Sequence, residues 1–304
     1  RAPGPLGHRD MHGWRTLVVE TGRNLSLKNG QLMVGRADEE EPELYVPIGQ
    51  LRTLILATPK GSVSLPLLLE LTQKNVAVLL CDGKYRPYAQ LSPLFGHTDT
   101  AGAIMDQTQW QARAKDFVWA HIVTAKLLAQ ARALKTVGLP VPDLLSEYAN
   151  SVEAGDASNR EGMAARVYFN TMFTRNFVRH AADETNYALN YGYSILLSAM
   201  NRIVNSHGYH TALGIHHVSR QNPFNLSCDL MEPFRPFVDR IVYATVGMPL
   251  DWERKKALIA VTRQECVYED RRMNLENAMG SFALDILKTM NDPENKRLFF
   301  PEMV

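Results

Sequence analysis

The chain has 304 residues, 45% hydrophobic and 9% aromatic, with a formal net charge of +1 and three cysteines. That length allows one large domain or two ordinary ones with real cores, and no run approaches the ~20 apolar residues of a membrane span. A near-neutral chain is no global polycation, so nucleic-acid contacts must come from local Arg and Lys clusters. Cys81, Cys228 and Cys266 form no CxxC pair and leave one over, which points to a reducing, cytoplasmic setting and away from a structural zinc site.

Residues 1–10, "RAPGPLGHRD", lack an apolar core and read as a cloning remnant, not a signal peptide, with the natural chain starting near Met11. Residues 11–97 read as a small β-rich domain. Residues 15–20 and 25–35 alternate apolar and polar side chains, and Asn29-Gly30 signals a hairpin because both turn positions want positive φ. The acidic run 38–43 reads as a solvated hairpin tip or as a surface for a basic partner. Residues 43–56 continue the strand pattern, and 64–82 read as a short helix followed by a buried strand, Val76 to Cys81. Small polar residues over 96–102 mark a boundary, and 98–107 are assigned to a linker.

Beyond it the period becomes 3.6, and residues 108–304 read as a larger all-helical domain. Helices are expected over 108–138, closed by Gly138, and over 156–173, 183–208, 252–266 and 274–290. Residues 225–240, "NLSCDLMEPFRPFVDR", pose a puzzle. Leu226, Leu230, Phe234, Phe237 and Val238 recur at helical spacing, yet Pro233 and Pro236 interrupt them. The fold class is α+β.

Three places offer metal-type ligands. Glu161 follows Ser158 by three residues, so it reads either as a ligand or as the second half of a capping box. The doublet His216-His217 reads as an ordinary loop or as a ligand. Asp229 and Glu232 share a helical face and read as ligands or as a helix start. Together, carboxylates and an imidazole would suit Mg²⁺ or Mn²⁺. HExxH, GxxxxGK[ST] and GxSxG are absent, which argues against a zinc protease, a nucleotide hydrolase and a serine hydrolase. Arg166, Arg235 and Arg240 beside the acids read as ion pairs on a solvated face or as a phosphate track, Lys126 as a phosphate contact or a snorkelling side chain, and Tyr191 and Tyr193 as candidate base-stacking or end-positioning groups.

The segments "NREGMAARVYF", "LNYGYSILLSAMNRIV", "LGIHH" and "DLMEPFRPFVDRIV", in this order and spacing, resemble the integrases of CRISPR spacer acquisition: CRISPR-associated protein one, in its type II form. The likeness runs from about Trp14 to at least Met290. It implies a β-domain that forms homodimers, a helical catalytic domain, and a bridging dimer of CRISPR-associated protein two. It also implies prespacer and leader–repeat DNA as substrates, with other type II adaptation proteins as possible partners. The implied catalytic and metal triad falls on Glu161, His217 and Glu232, with Asp229 in support and His216 as the alternative histidine. Two rival readings use the same residues: a stand-alone metal-dependent endonuclease for branched DNA, and a non-catalytic DNA-binding scaffold whose acids are caps and ion pairs.

Overall fold

The computed structural model describes residues 15–35, 43–82, 87–91, 93, 97–292, 294 and 297–304. The stretch read as a cloning remnant and residues 38–42 of the acidic run lie outside the described residues. The chain divides into two compact units, Arg1–Pro93 and Leu94–Val304. The first carries β-sheet and the second is mostly helical, as the α+β reading expects.

In the first unit, strands β1 (Arg15–Val19), β5 (Leu51–Leu56), β7 (Ala77–Cys81) and β8 (Pro87–Leu91) form one sheet in the order β1-β5-β7-β8. The β1–β5 and β5–β7 pairs are parallel and β7–β8 is antiparallel. A second sheet has the order β4-β3-β2-β6, from β2 (Arg23–Lys28), β3 (Gln31–Val34), β4 (Leu44–Pro47) and β6 (Gly61–Val63). Asn29 and Gly30 have φ of 52° and 71° and turn β2 into β3, with Lys28 opposite Gln31. This is the two-residue hairpin the sequence signals. Helix α1 (Leu65–Gln73) links β6 to β7 and buries Leu67 and Leu71 in a core with Leu25, Leu32, Leu54 and Val78.

The second unit departs from the expected layout in two places. Residues Thr100–Thr108 form helix α2, not a linker, because Ala103 and Gln107 are buried and tie it to the unit. The unit is also not wholly helical. The helix expected over 252–266 stops at Ile259 (α9, Trp252–Ile259), passes through a 3-10 turn, and becomes β9 (Glu265–Tyr268). With β10 (Arg271–Asn274) and β11 (Glu302–Met303) it makes a three-stranded sheet ordered β10-β9-β11. Three centrally placed helices meet expectation: α3 (Ala112–Thr136), α6 (Glu184–Ser206) and α10 (Leu275–Asn291). Gly138, with φ +75°, follows the end of α3 in the left-handed conformation that suits glycine. No helix among the described residues is long and apolar enough to cross a membrane.

Candidate metal and nucleic-acid site

Glu161 sits where a helix begins, Glu232 where one breaks, and His217 in a loop. Helix α5 (Arg160–Met172) is capped by Asn159, whose side chain accepts from the Gly162 amide, and by Asp156, whose carboxylate accepts from Arg160 N at 2.8 Å and Glu161 N at 3.0 Å. These acceptors satisfy the amides a helix start leaves open. The Ser158–Glu161 capping box does not form, and the Glu161 side chain reaches a cavity instead.

The 225–240 puzzle resolves as a broken helix. Helix α7 (Asn225–Met231) ends, a 3-10 turn covers Glu232–Phe234, and α8 (Arg235–Ala244) begins. Pro233 and Pro236 each fall in the first two positions of a new element, where a missing N–H costs little. Glu232 stands at the break and is only 3% exposed. Asp229 does not cap a helix. It is fully buried and accepts from the amides of Ile215, His216 and His217 at 2.7, 3.0 and 3.1 Å, and from His217 Nδ1 at 2.5 Å.

One carboxylate therefore shapes the histidine loop and accepts the His217 Nδ1 proton, so that in the neutral imidazole Nε2 carries the lone pair. The loop is further tied down by Asn225, which donates to Ala212 O and Ser219 O, and by Gln107, which bonds His210 and Leu213. Gly214 is required for space: a Cβ there would overlap the His217 carbonyl oxygen. His216 instead stacks face to face on Trp119, centroids 4.2 Å apart and planes 3° from parallel.

A cavity of about 290 Å³ gathers Lys126, Gln130, Glu161, His217, Glu232 and Arg235, among others. Lys126 Nζ lies 2.6 Å from Glu161 Oε1 and 2.6 Å from Glu232 Oε2, the second contact being an ion pair off hydrogen-bond alignment. Arg235 Nη2 lies 2.9 Å from Glu232 Oε1. Burial by itself would raise the Glu232 carboxyl, but Arg235 and Lys126 outweigh it and hold it below its ordinary value. The hydrogen bond to Asp229 raises the His217 imidazole, opposed by burial and aided by the nearby carboxylates.

The family model for CRISPR associated protein Cas1 matches residues 16–248. The chain belongs to this family. It is 29% identical, over 96% of its length and 97% of the relative's, to the CRISPR-associated endonuclease Cas1 of Neisseria meningitidis serogroup C (strain 8013). In fold it is similar to a casposase solved bound to its integration product, with TM-score 0.75, 18% identity and coverage of 93% and 92% of the two chains. It is also similar to a chain of a Cas6-RT-Cas1–Cas2 complex, with TM-score 0.67 and 18% identity, covering 97% of this chain and 37% of that one.

In this Cas1-family chain, two carboxylates and an imidazole open onto one cavity, an oxygen-and-nitrogen donor set that suits a hard divalent cation. The Lys126 ammonium between the carboxylates demonstrates that they already hold positive charge. Among the described residues, however, no three His, Cys, Asp or Glu side chains are already gathered closely enough to bind a metal.

The nucleic-acid candidates divide. Arg166 is exposed on α5, outside the cavity lining. Arg235 lines the cavity and lies over the Tyr193 ring at 4.8 Å. Lys126 sits inside the carboxylate pair and not on an open surface. Tyr193, 7% exposed, donates to Asp239 Oδ1 at 2.5 Å; its ring also lies under Arg179 at 5.1 Å, so it orients arginines and offers no open face to a base. Tyr191 is 4% exposed with Lys255 over its ring, which removes it as a stacking platform. Arg240 is turned away from the cavity, donating to Gln264 Oε1 and to Val304 O, so it anchors the last strand. Asp239 and Gln130 had no sequence signal of their own, because one helix does not reveal which neighbour fills the space above it.

Proposed function

We propose that the chain is a metal-dependent DNA integrase of CRISPR adaptation. The observation that carries this reading is the convergence of Glu161, His217 and Glu232 on one cavity that also presents Lys126 and Arg235. The 3′-hydroxyl of an incoming prespacer attacks a phosphodiester at the edge of a repeat, and a 3′-hydroxyl of the array leaves. One phosphodiester forms as another breaks, so no nucleotide is consumed, and the reverse disintegration uses the same groups. Glu161, Glu232 and His217 would hold Mg²⁺ or Mn²⁺, which would supply Lewis-acid stabilisation of the charge that develops on the phosphoryl oxygens. Asp229 keeps the His217 proton on Nδ1. Arg235, braced by Glu232 and the Tyr193 ring, presents a guanidinium fork that matches phosphate oxygens. Arg166 adds a phosphate contact outside the cavity.

The partners of this reading are a second copy of the chain, a bridging dimer of CRISPR-associated protein two, and prespacer and leader–repeat DNA, with other type II adaptation proteins as further partners and the cytoplasm as the setting; the likeness to a chain of a Cas6-RT-Cas1–Cas2 complex supports the second of these. The test supplies a labelled fragment and a supercoiled repeat-bearing plasmid with Mn²⁺. The wild type is expected to join the label covalently to the plasmid. Glu161→Gln and Glu232→Gln are expected to lose joining by at least ~100-fold while staying folded, the scale of a lost stabilising group at a reacting centre. Cutting without joining would favour a stand-alone nuclease. Joining that is insensitive to both substitutions would remove these residues from the chemistry.

A further inference from the structure

The charge balance at the Glu161–Glu232 pair needs explaining. Glu161 and Glu232 bring two negative charges; Lys126 and Arg235 bring two positive ones, each within 2.9 Å of a carboxylate oxygen. The chain thus neutralises its own carboxylate pair. A divalent cation entering a neutral set gains little net attraction and meets the repulsion of an ammonium at close range. The pair can take up such an ion only if an internal cation yields. Arg235 is braced from two sides, by Glu232 and by the Tyr193 ring. Lys126 is different: among the described residues its ion pairs are to the two carboxylates themselves.

A second observation supplies a destination. Gln130 lies one turn further along α3, four residues from Lys126 and so on the same helix face. It lines the same cavity, is 1% exposed, and its Oε1 accepts no hydrogen bond among the described residues. A buried amide oxygen without a donor is costly. A lysine has a four-carbon flexible stem and three donors with which to serve it.

We propose that Lys126 is a place-holding cation, which yields Glu161 and Glu232 to a divalent metal ion by passing its ammonium to Gln130 Oε1 within the same cavity. The inference rests on the proposed function of the site. It accounts for the absence of a ready-made three-ligand cluster among the described residues: the lysine occupies the carboxylates until exchange. It also keeps the displaced positive charge inside the cavity, where a DNA phosphate can use it.

The test is Mn²⁺ binding to the full chain, followed by calorimetry and by the electron paramagnetic resonance signal of free Mn²⁺. Lys126→Met removes the competitor, so it is expected to bind Mn²⁺ about tenfold tighter or more. Gln130→Leu leaves the displaced ammonium without its acceptor and is expected to weaken Mn²⁺ binding in the wild-type background. In the Lys126→Met background Gln130→Leu is expected to have no effect, a non-additivity that a purely structural glutamine would not produce. Should Lys126→Met not fold, Gln130→Leu alone still decides: unchanged Mn²⁺ affinity overturns the inference. Unchanged or weaker binding in folded Lys126→Met also overturns it, provided Glu232→Gln abolishes binding. If Glu232→Gln binds Mn²⁺ as the wild type does, the metal site itself is wrong and the proposed function fails with it.

Discussion

Asp239 shows how one buried charge sets the position of others. It is 2% exposed on α8 and accepts hydrogen bonds from Tyr168 at 3.0 Å and Tyr193 at 2.5 Å. Burial raises its carboxyl to about 6, although both tyrosines favour the ionised form. A folded-state value above the ordinary 3.8 means that the folded protein holds the proton more tightly than the unfolded chain. The associated stability is present below pH 3.8 and is lost as pH rises through about 6. Asp239→Asn is therefore expected to gain stability relative to wild type as pH rises across that window, read from melting temperatures at a series of pH values. The histidine doublet is also resolved at this scale. His217 is aimed by Asp229 into the cavity, whereas His216 lies on Trp119. His217→Ala is expected to abolish strand transfer and His216→Ala to leave it within a few-fold; equal losses would refute the assignment.

At the scale of elements, the break between α7 and α8 places Glu232. In a continuous helix the residue at position 233 would donate to the Asp229 carbonyl. Pro233 has no N–H, and the Glu232 amide takes that carbonyl instead, three residues back, tightening the turn. The proline thus forces the 3-10 step that carries Glu232 to the cavity. Pro233→Ala lets the helix run on and is expected to weaken Mn²⁺ affinity by about tenfold, the usual cost of disturbing what holds a ligand. An unchanged affinity would mean that the break merely tolerates the proline. The histidine loop depends on elements in the same way, since α2 supplies Gln107 and α7 supplies Asn225 and Asp229.

For the whole molecule, a net charge of +1 means that DNA affinity must rest on a few placed cations. Each phosphate contact contributes close to one unit of log–log salt slope. Arg166→Ala and Arg235→Ala are each expected to lower that slope by about one unit in DNA-binding titrations. Arg240→Ala is expected to leave the slope unchanged and to lower thermal stability instead, because its guanidinium is taken up by Gln264 and Val304. A slope change with Arg240→Ala would return that residue to the DNA surface.

Local chemistry was legible from the residues because it acts over a few positions. Positive φ at Asn29-Gly30 made a hairpin, and the shift from period 2 to period 3.6 separated a β-rich part from a helical one. Four short motifs in order marked the Cas1 family. Features that depend on distant partners were hidden. Helix α2 looked like a linker because its sequence is small and polar, and its purpose is to place Gln107 about a hundred residues away in sequence. Residues 265 and 266 looked helical until pairing with β10 and β11 made them part of a strand. Arg240, Tyr191 and Tyr193 have the chemistry of DNA contacts, but packing buries the two tyrosines, and Gln264 and Val304 take up the Arg240 guanidinium. Ser158-x-x-Glu161 fitted a capping box until Asp156 and Asn159 took the amides first. Residue types and their spacing announce what chemistry is available. Which groups meet, and which are already engaged, follows from competition among partners far apart in the chain, and folding settles that competition.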